Sequence, residues 1–182
     1  RKRGKLEELN RYLVEGVTPY PQFLRVGRLS ETIHFVITLD SDTQLPAGTA
    51  RRMIETISHP LNRVELSQDG RTRLRGFTIV QPRVSITLPG TTATRFTQLW
   101  TNISGTDPYC QAVSDVYQDL FGEGIFHGKA IYDVQAFHSM MSRRFPEERL
   151  LSHDLIEGAH VGVAFSGDIE LFENFPYDYY SH

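Results

Sequence analysis

Apolar residues run almost unbroken through Ile33, Phe35, Val36, Ile37 and Leu39, and the run stops at two carboxylates, Asp40 and Asp42. A near-continuous set of branched and aromatic residues predicts a strand buried on both faces, as in the interior of an α/β sheet. Open α/β sheets bind ligands outside the carboxyl ends of their strands, so this strand end lies where a site is expected. Elsewhere the period lengthens. Leu6, Leu9 and Leu13 share one face of a helix over residues 4–15, which Gly16 stops. Ala50, Met53, Ile54 and Ile57 predict the buried stripe of a helix that has Pro46 in its first turn and ends at His59-Pro60. Val64–Leu66 and Arg73–Ile79 flank Asp69-Gly70, a hairpin signal. Residues 76–82 predict a second interior strand that leaves the sheet at Gln81-Pro82, with Arg83–Leu88 as an extended edge.

Helical spacing returns at Phe96, Leu99, Trp100 and Ile103, and again at Val113, Val116, Tyr117 and Leu120. Gly122–Lys129 is a glycine-dense loop suited to close approach of a backbone. It is not a dinucleotide fingerprint, because His127 stands where the third glycine would be. Asp133 is placed to cap a helix running to Met141, and Ser152 to cap one carrying Asp154 and Glu157. Pro146-Glu147-Glu148 opens a short element between them, residues 161–166 and 169–172 predict a closing strand pair or extended segment, and the aromatic tail 175–180 is expected to pack. The pattern as a whole predicts an α/β fold, a mixed sheet flanked by helices.

Composition narrows the chemistry. The 182 residues are 40% hydrophobic and 23% charged, enough for one domain with a core. A net charge of -3 argues against a general nucleic-acid binder. Cys110 is the single cysteine, so no internal disulfide forms, as suits a reducing compartment. No run reaches the roughly 18 apolar residues of a membrane span, and the start lacks both a signal peptide and Met, as expected of a segment of a longer protein.

Asp40 and Asp42 offer oxygens to a hard divalent cation, and Mg²⁺ on one or two carboxylates completes its shell with water and phosphates. The same pair also suits a loop of solvated aspartates. Asp154 and Glu157 are three apart on one helix face: acids favoured by the helix dipole, or a general base. His153 beside them is a candidate assistant or an ordinary surface residue. The basic start, Arg1-Lys2-Arg3-Gly4-Lys5, reads as a solvated end or as a partner for an anion.

The order of these parts resembles the inverting processive glycosyltransferases of the GT-A fold, which include cellulose, hyaluronan and chitin synthases. Lys5–Asn10 resembles their Lys-Ala-Gly-x-Leu-Asn helix, Asp40-Ser41-Asp42 their Asp-x-Asp, and Ser152-His153-Asp154 their Thr-Glu-Asp, whose last residue is the catalytic base. A more specific resemblance, over essentially the whole chain, is to the transferase domain of cyclic β-1,2-glucan synthases; Arg1–Asn10, Thr38–Pro46, Gln81–Pro89, Phe121–His138 and Leu151–Gly158 carry it. The resemblance implies a partial GT-A-like, Rossmann-like sheet, UDP-glucose as donor, and transfer with inversion to a β-glucan grown on the protein itself. It implies Mg²⁺ or Mn²⁺ on Asp40 and Asp42, Asp154 as base, Lys5 on phosphate, and Gln81, Gly128, Lys129 and Glu157 on the acceptor side. It also implies a multi-spanning parent protein with this domain at the cytoplasmic face of the bacterial inner membrane.

Two departures stand out. His153 replaces the Glu of the broad group's Thr-Glu-Asp, so the base assignment rests on Asp154 alone. The first, nucleotide-binding strand and the Arg-Trp segment are expected outside residues 1–182. Another processive β-glycosyltransferase, or a non-catalytic glucan-binding module of the same fold, would also fit the pattern.

Overall fold

In the computed structural model, residues 2–17, 32–87, 94–95, 116–142, 144–145 and 153–173 are described. The helix around Phe96–Ile103, the element at Pro146, Ser152 and the aromatic tail fall outside them, as do Trp100 and Cys110. In chain order the elements are α1 (Lys2–Glu15), β1 (Phe35–Ile37), α2 (Thr49–Ser58), β2 (Glu65–Leu66), β3 (Arg73–Arg75), β4 (Ile79–Ile86), α3 (Val116–Phe121), β5 (Ile131–Asp133), α4 (Val134–Met141), α5 (Asp154–Val161) and β6 (Val163–Glu173).

Four strands form a mixed sheet in the order β1-β5-β4-β6. β5 is antiparallel to both β1 and β4, while β4 and β6 are parallel, so β1, β4 and β6 all run one way. Alternation along the strands divides the core between two faces. Ile79, Tyr132 and Val163 pack with Val134, Met140, Met141 and Val161 on the α4–α5 side. Val80, Ile131 and Ile169 pack with Met53 and Ile57 of α2 on the other. Each such fully buried aliphatic side chain contributes about 1.5–3 kcal/mol. The chain is thus a mixed α/β fold with helices on both faces of the sheet, compatible with a partial Rossmann-like architecture.

Helix boundaries follow local chemistry. Gly16, at φ 68°, closes α1 with its N–H on Tyr12 O at 3.0 Å. Asp133 caps α4 by accepting from Ala136 N at 2.9 Å. α1 is tied to the fold by polar contacts: Tyr132 Oη donates to Asn10 Oδ1 at 2.8 Å, and His138 Nε2 lies 3.0 Å from Glu15 Oε1. Burial pushes the Tyr132 hydroxyl up to about 12, against the hydrogen bond to Asn10 and with the nearby Glu157 adding to the rise. No described helix is long and apolar enough to cross a membrane.

Several expectations are corrected. The strand before Asp40 is three residues long and half-buried rather than buried on both faces, because among the described residues it pairs on one side only, with β5. α2 starts at Thr49, three residues after Pro46, and Ile54 is 43% exposed, so its buried stripe is Thr49, Met53 and Ile57. The strand at Gln81-Pro82 does not leave the sheet there. β4 continues to Ile86, and a register shift at Pro82/Arg83 accommodates the proline that cannot donate to a ladder. Opposite that shift the partner register jumps from Ser166 to Glu170, so the two closing segments form one irregular strand, β6. His153, not Ser152, precedes α5, and its side chain makes no capping bond. The Asp69-Gly70 hairpin forms as expected, with Gly70 at φ 68°.

Candidate active site

β1 ends one residue before Thr38, whose N–H bonds Ala130 O at 2.8 Å. That bond lays the exit of β1 alongside the entry to β5, and the chain then turns: Thr43 N donates to Asp40 O at 3.2 Å, and Asp40 N to Thr43 Oγ1 at 3.3 Å. Gln44 makes a two-bond bridge to Phe172, fastening the turn to the far end of β6. Asp40 is half-buried beside this junction, and Asp42 is exposed in the turn.

Facing the turn is Lys129. Its Nζ lies 2.7 Å from Glu173 Oε1 and 3.5 Å from Asp40 Oδ2. Thr43 Oγ1 donates to the same Glu173 oxygen at 2.6 Å. Burial alone would push the Lys129 ammonium down, but the carboxylates of Glu173 and Asp40 together hold it above the ordinary lysine value. Two carboxylates on different elements therefore converge on one positive charge at the carboxyl ends of β1 and β6.

The residue before Lys129 faces a third carboxylate. Gly128 has φ 82°, and a Cβ placed on it would lie 2.9 Å from Asp154 Oδ2. Glycine is required here both for its backbone angle and for the room it leaves. Asp154 is the first residue of α5, where a carboxylate is favoured by the helix dipole. Asp154 thus sits against the backbone at Gly128, while Asp40 faces the tip of the neighbouring Lys129 side chain.

This corner is held from beneath. Gln81 is fully buried in β4; its amide nitrogen donates to Lys129 O at 2.8 Å and Pro82 O at 3.0 Å, and its oxygen accepts from His127 N at 3.0 Å. The start of the glycine loop is held by an ion pair between Glu123 and Arg73 of β3, and by Gly124 N on Val163 O at 2.7 Å. Glu157 is buried in α5 near Tyr132, and Lys5 is exposed on α1. Of the residues expected to act together, the structure assembles Asp40, Lys129, Gly128, Asp154 and Gln81. Lys129, expected on the acceptor side, points to Asp40. Glu173 and Thr43 were not anticipated. Glu173 could have been found as an acid at a strand's carboxyl end; Thr43 carried no signal.

The donor chemistry bears on a metal. Among the described residues no group of three or more His, Cys, Asp or Glu side chains is placed to hold one. Glu173 is taken up by Lys129 and Thr43, whereas Asp40, at the exposed turn with Asp42, offers a hard oxygen donor of the kind that suits Mg²⁺ or Mn²⁺ when phosphate and water complete the shell.

No family model matches the chain. It is 41% identical over 180 residues to the cyclic beta-(1,2)-glucan synthase NdvB of Rhizobium meliloti (strain 1021); the match covers 98% of this chain and 6% of that relative. At that identity over nearly its full length, the chain belongs to the cyclic β-(1,2)-glucan synthase family, of whose member it spans one short segment.

Proposed function

We propose that the chain is part of an inverting glucosyltransferase that moves glucose from UDP-glucose onto a growing β-1,2-glucan, within a larger membrane protein and on its cytoplasmic side. The observation that carries this reading is the Gly128-Lys129 pair, whose backbone meets Asp154 at Gly128 and whose lysine ammonium meets Asp40. A diphosphate leaving group and a proton acceptor are the two things a single-displacement sugar transfer requires, and they must sit on opposite sides of the reacting carbon.

Asp40, with Asp42, would hold the metal. A bound Mg²⁺ or Mn²⁺ would offset the charge that grows on the departing diphosphate. Asp154 takes the proton of the acceptor's 2-hydroxyl as that oxygen forms its bond to the anomeric carbon. The bond from that carbon to the UDP oxygen breaks, UDP leaves with the electron pair, and the α linkage of the donor becomes β in the product. Gln81 keeps the Gly128-Lys129 corner in place while this happens.

Calorimetric titration of UDP into the intact protein, with and without Mn²⁺, tests the donor half. Metal-dependent binding that Asp40→Ala removes is the expected result. Glucan binding indifferent to metal, with no UDP binding, would instead identify a non-catalytic glucan-binding module. Incubation with labelled UDP-glucose and linkage analysis of the product separates β-1,2 transfer from another linkage.

Gly128→Ala tests the corner itself. A side chain at this backbone angle costs about 1–2 kcal/mol, and the new methyl displaces the Asp154 carboxylate. Since a misplacement of about 1 Å can cost roughly 10²-fold in rate, transfer should fall by about one to two orders of magnitude. Mn²⁺-dependent UDP binding should stay within about threefold. Transfer at the wild-type rate would show that Asp154 does not work from the place where Gly128 admits it.

A further inference from the structure

Lys129 has a geometry that a simple acceptor contact does not require. Its ammonium is mostly buried, is held at 2.7 Å by Glu173, and is aimed at Asp40 from 3.5 Å, beyond an ordinary hydrogen bond. The partner that positions it is itself fixed, since Thr43 Oγ1 donates to the same Glu173 oxygen at 2.6 Å. Thr43 belongs to the turn that carries Asp40, so turn, lysine and glutamate form one closed set of contacts. The backbone carbonyl of Lys129 is pinned separately by the buried Gln81 amide. Both ends of the lysine are thus constrained, and its charge cannot easily move away from Asp40.

We propose that Lys129, positioned by Glu173, couples the metal to the diphosphate: it opposes a bare divalent cation at Asp40 and admits one only together with the negative charge of a nucleotide. The inference rests on the metal-diphosphate reading of Asp40 given above. Its basis is electrostatic. A dication on Asp40 must share that carboxylate with a fixed ammonium a few ångströms away, at a half-buried position where charges are screened less than in open water. A diphosphate supplies more negative charge than the ammonium cancels, and so reverses the sign of the balance. The local charges agree with this: Asp40 and Glu173 against Lys129 leave one net negative charge, too little to favour a bare dication strongly, and Asp42 is exposed in the turn. Coupling of this kind is reciprocal, so the metal must tighten UDP by the same factor as UDP tightens the metal. The device would keep the donor site from filling with metal alone and would release both products together.

The test is a Mn²⁺ titration of the intact protein followed by electron paramagnetic resonance, with and without UDP. In the wild type, UDP should tighten Mn²⁺ by about tenfold or more, within the usual range of site-to-site coupling. Lys129→Met should bind bare Mn²⁺ about threefold or more tighter and reduce the effect of UDP to under about threefold; Lys129→Arg, which keeps the charge, should retain the coupling. Glu173→Gln should weaken the coupling in the wild type and add nothing in the Lys129→Met background. If Lys129→Met does not fold, as judged by circular dichroism, Lys129→Gln takes its place in both comparisons. Unchanged bare Mn²⁺ affinity and coupling in Lys129→Met overturn the proposal. So does an equal effect of Glu173→Gln with and without Lys129, because Glu173 would then bind the metal itself. Failure of the underlying reading looks different: Asp40→Asn would leave Mn²⁺ binding intact in the presence of UDP.

Discussion

Asp154→Asn in the intact protein should lower glucose transfer by about 10²–10⁴-fold, the range that a positioned general base supplies, while UDP affinity stays within about twofold. The change is nearly isosteric, so the space beside Gly128 and the start of α5 are kept. What is lost is the ability to accept a proton. An asparagine amide cannot take the hydrogen of the attacking hydroxyl, and without that acceptor the developing oxonium must shed its proton to water. The nucleotide should not sense the change, because the contacts proposed for the diphosphate lie at Asp40, which faces the tip of the Lys129 side chain, and not at Gly128, where Asp154 sits. Single-turnover transfer from labelled UDP-glucose, with UDP binding measured separately, gives both numbers. Turnover near the wild-type rate would remove Asp154 from the mechanism. A parallel loss of UDP affinity would mean that it orders the donor rather than the acceptor.

Gly76→Ala is expected to be among the most damaging small substitutions for the fold. Gly76 is buried at φ 73°, where an L side chain costs about 1–2 kcal/mol. An added Cβ would also overlap the Arg63 carbonyl and lie 2.7 Å from Asn62 O. These are backbone atoms, held by the bond from Phe77 N to Asn62 O at 2.8 Å, so they cannot turn aside as a flexible side chain would. Overpacking of this kind adds about 1–3 kcal/mol, and the total loss should be roughly 3 kcal/mol or more. For a chain of this size that is a fall in Tm of about 6–12 °C. The damage should reach the site as well. Arg73 donates to Gly76 O at 2.8 Å and pairs with Glu123, so the tight turn at Gly76 fixes the arginine that anchors the loop leading to Gly128. Thermal unfolding by circular dichroism measures the first effect, and a midpoint within 1 °C of wild type would refute it.

The pattern of apolar positions by itself determined the kinds of element, their order, and the α/β class. It did so because burial imposes its period on the sequence: Met53 and Ile57 at helical spacing, Ile79, Val80 and Gln81 without a break, Asp133 at a cap that its own carboxylate makes. Asp40 and Asp154 were legible as candidates because acids at a strand exit and a helix start are chemically marked positions. Lengths and edges were less legible. β1 reads as an interior strand from its residues, but strand pairing is a property of neighbours, and its half-burial reflects pairing with β5 alone among the described residues. Pro82 looked like a strand end because a proline cannot donate, yet a register shift in the pairing with β6 absorbs it. Only the tertiary structure decided which charges meet. Lys129, Asp40 and Glu173 are separated by up to 133 positions in the chain, and nothing local in the sequence marks a lysine as facing one carboxylate pair rather than a sugar channel. The fold brings them together because the exit of β1, the entry of β5 and the end of β6 all lie at one end of the sheet, where Gly128 admits Asp154 and the Lys129 side chain reaches Asp40 and Glu173.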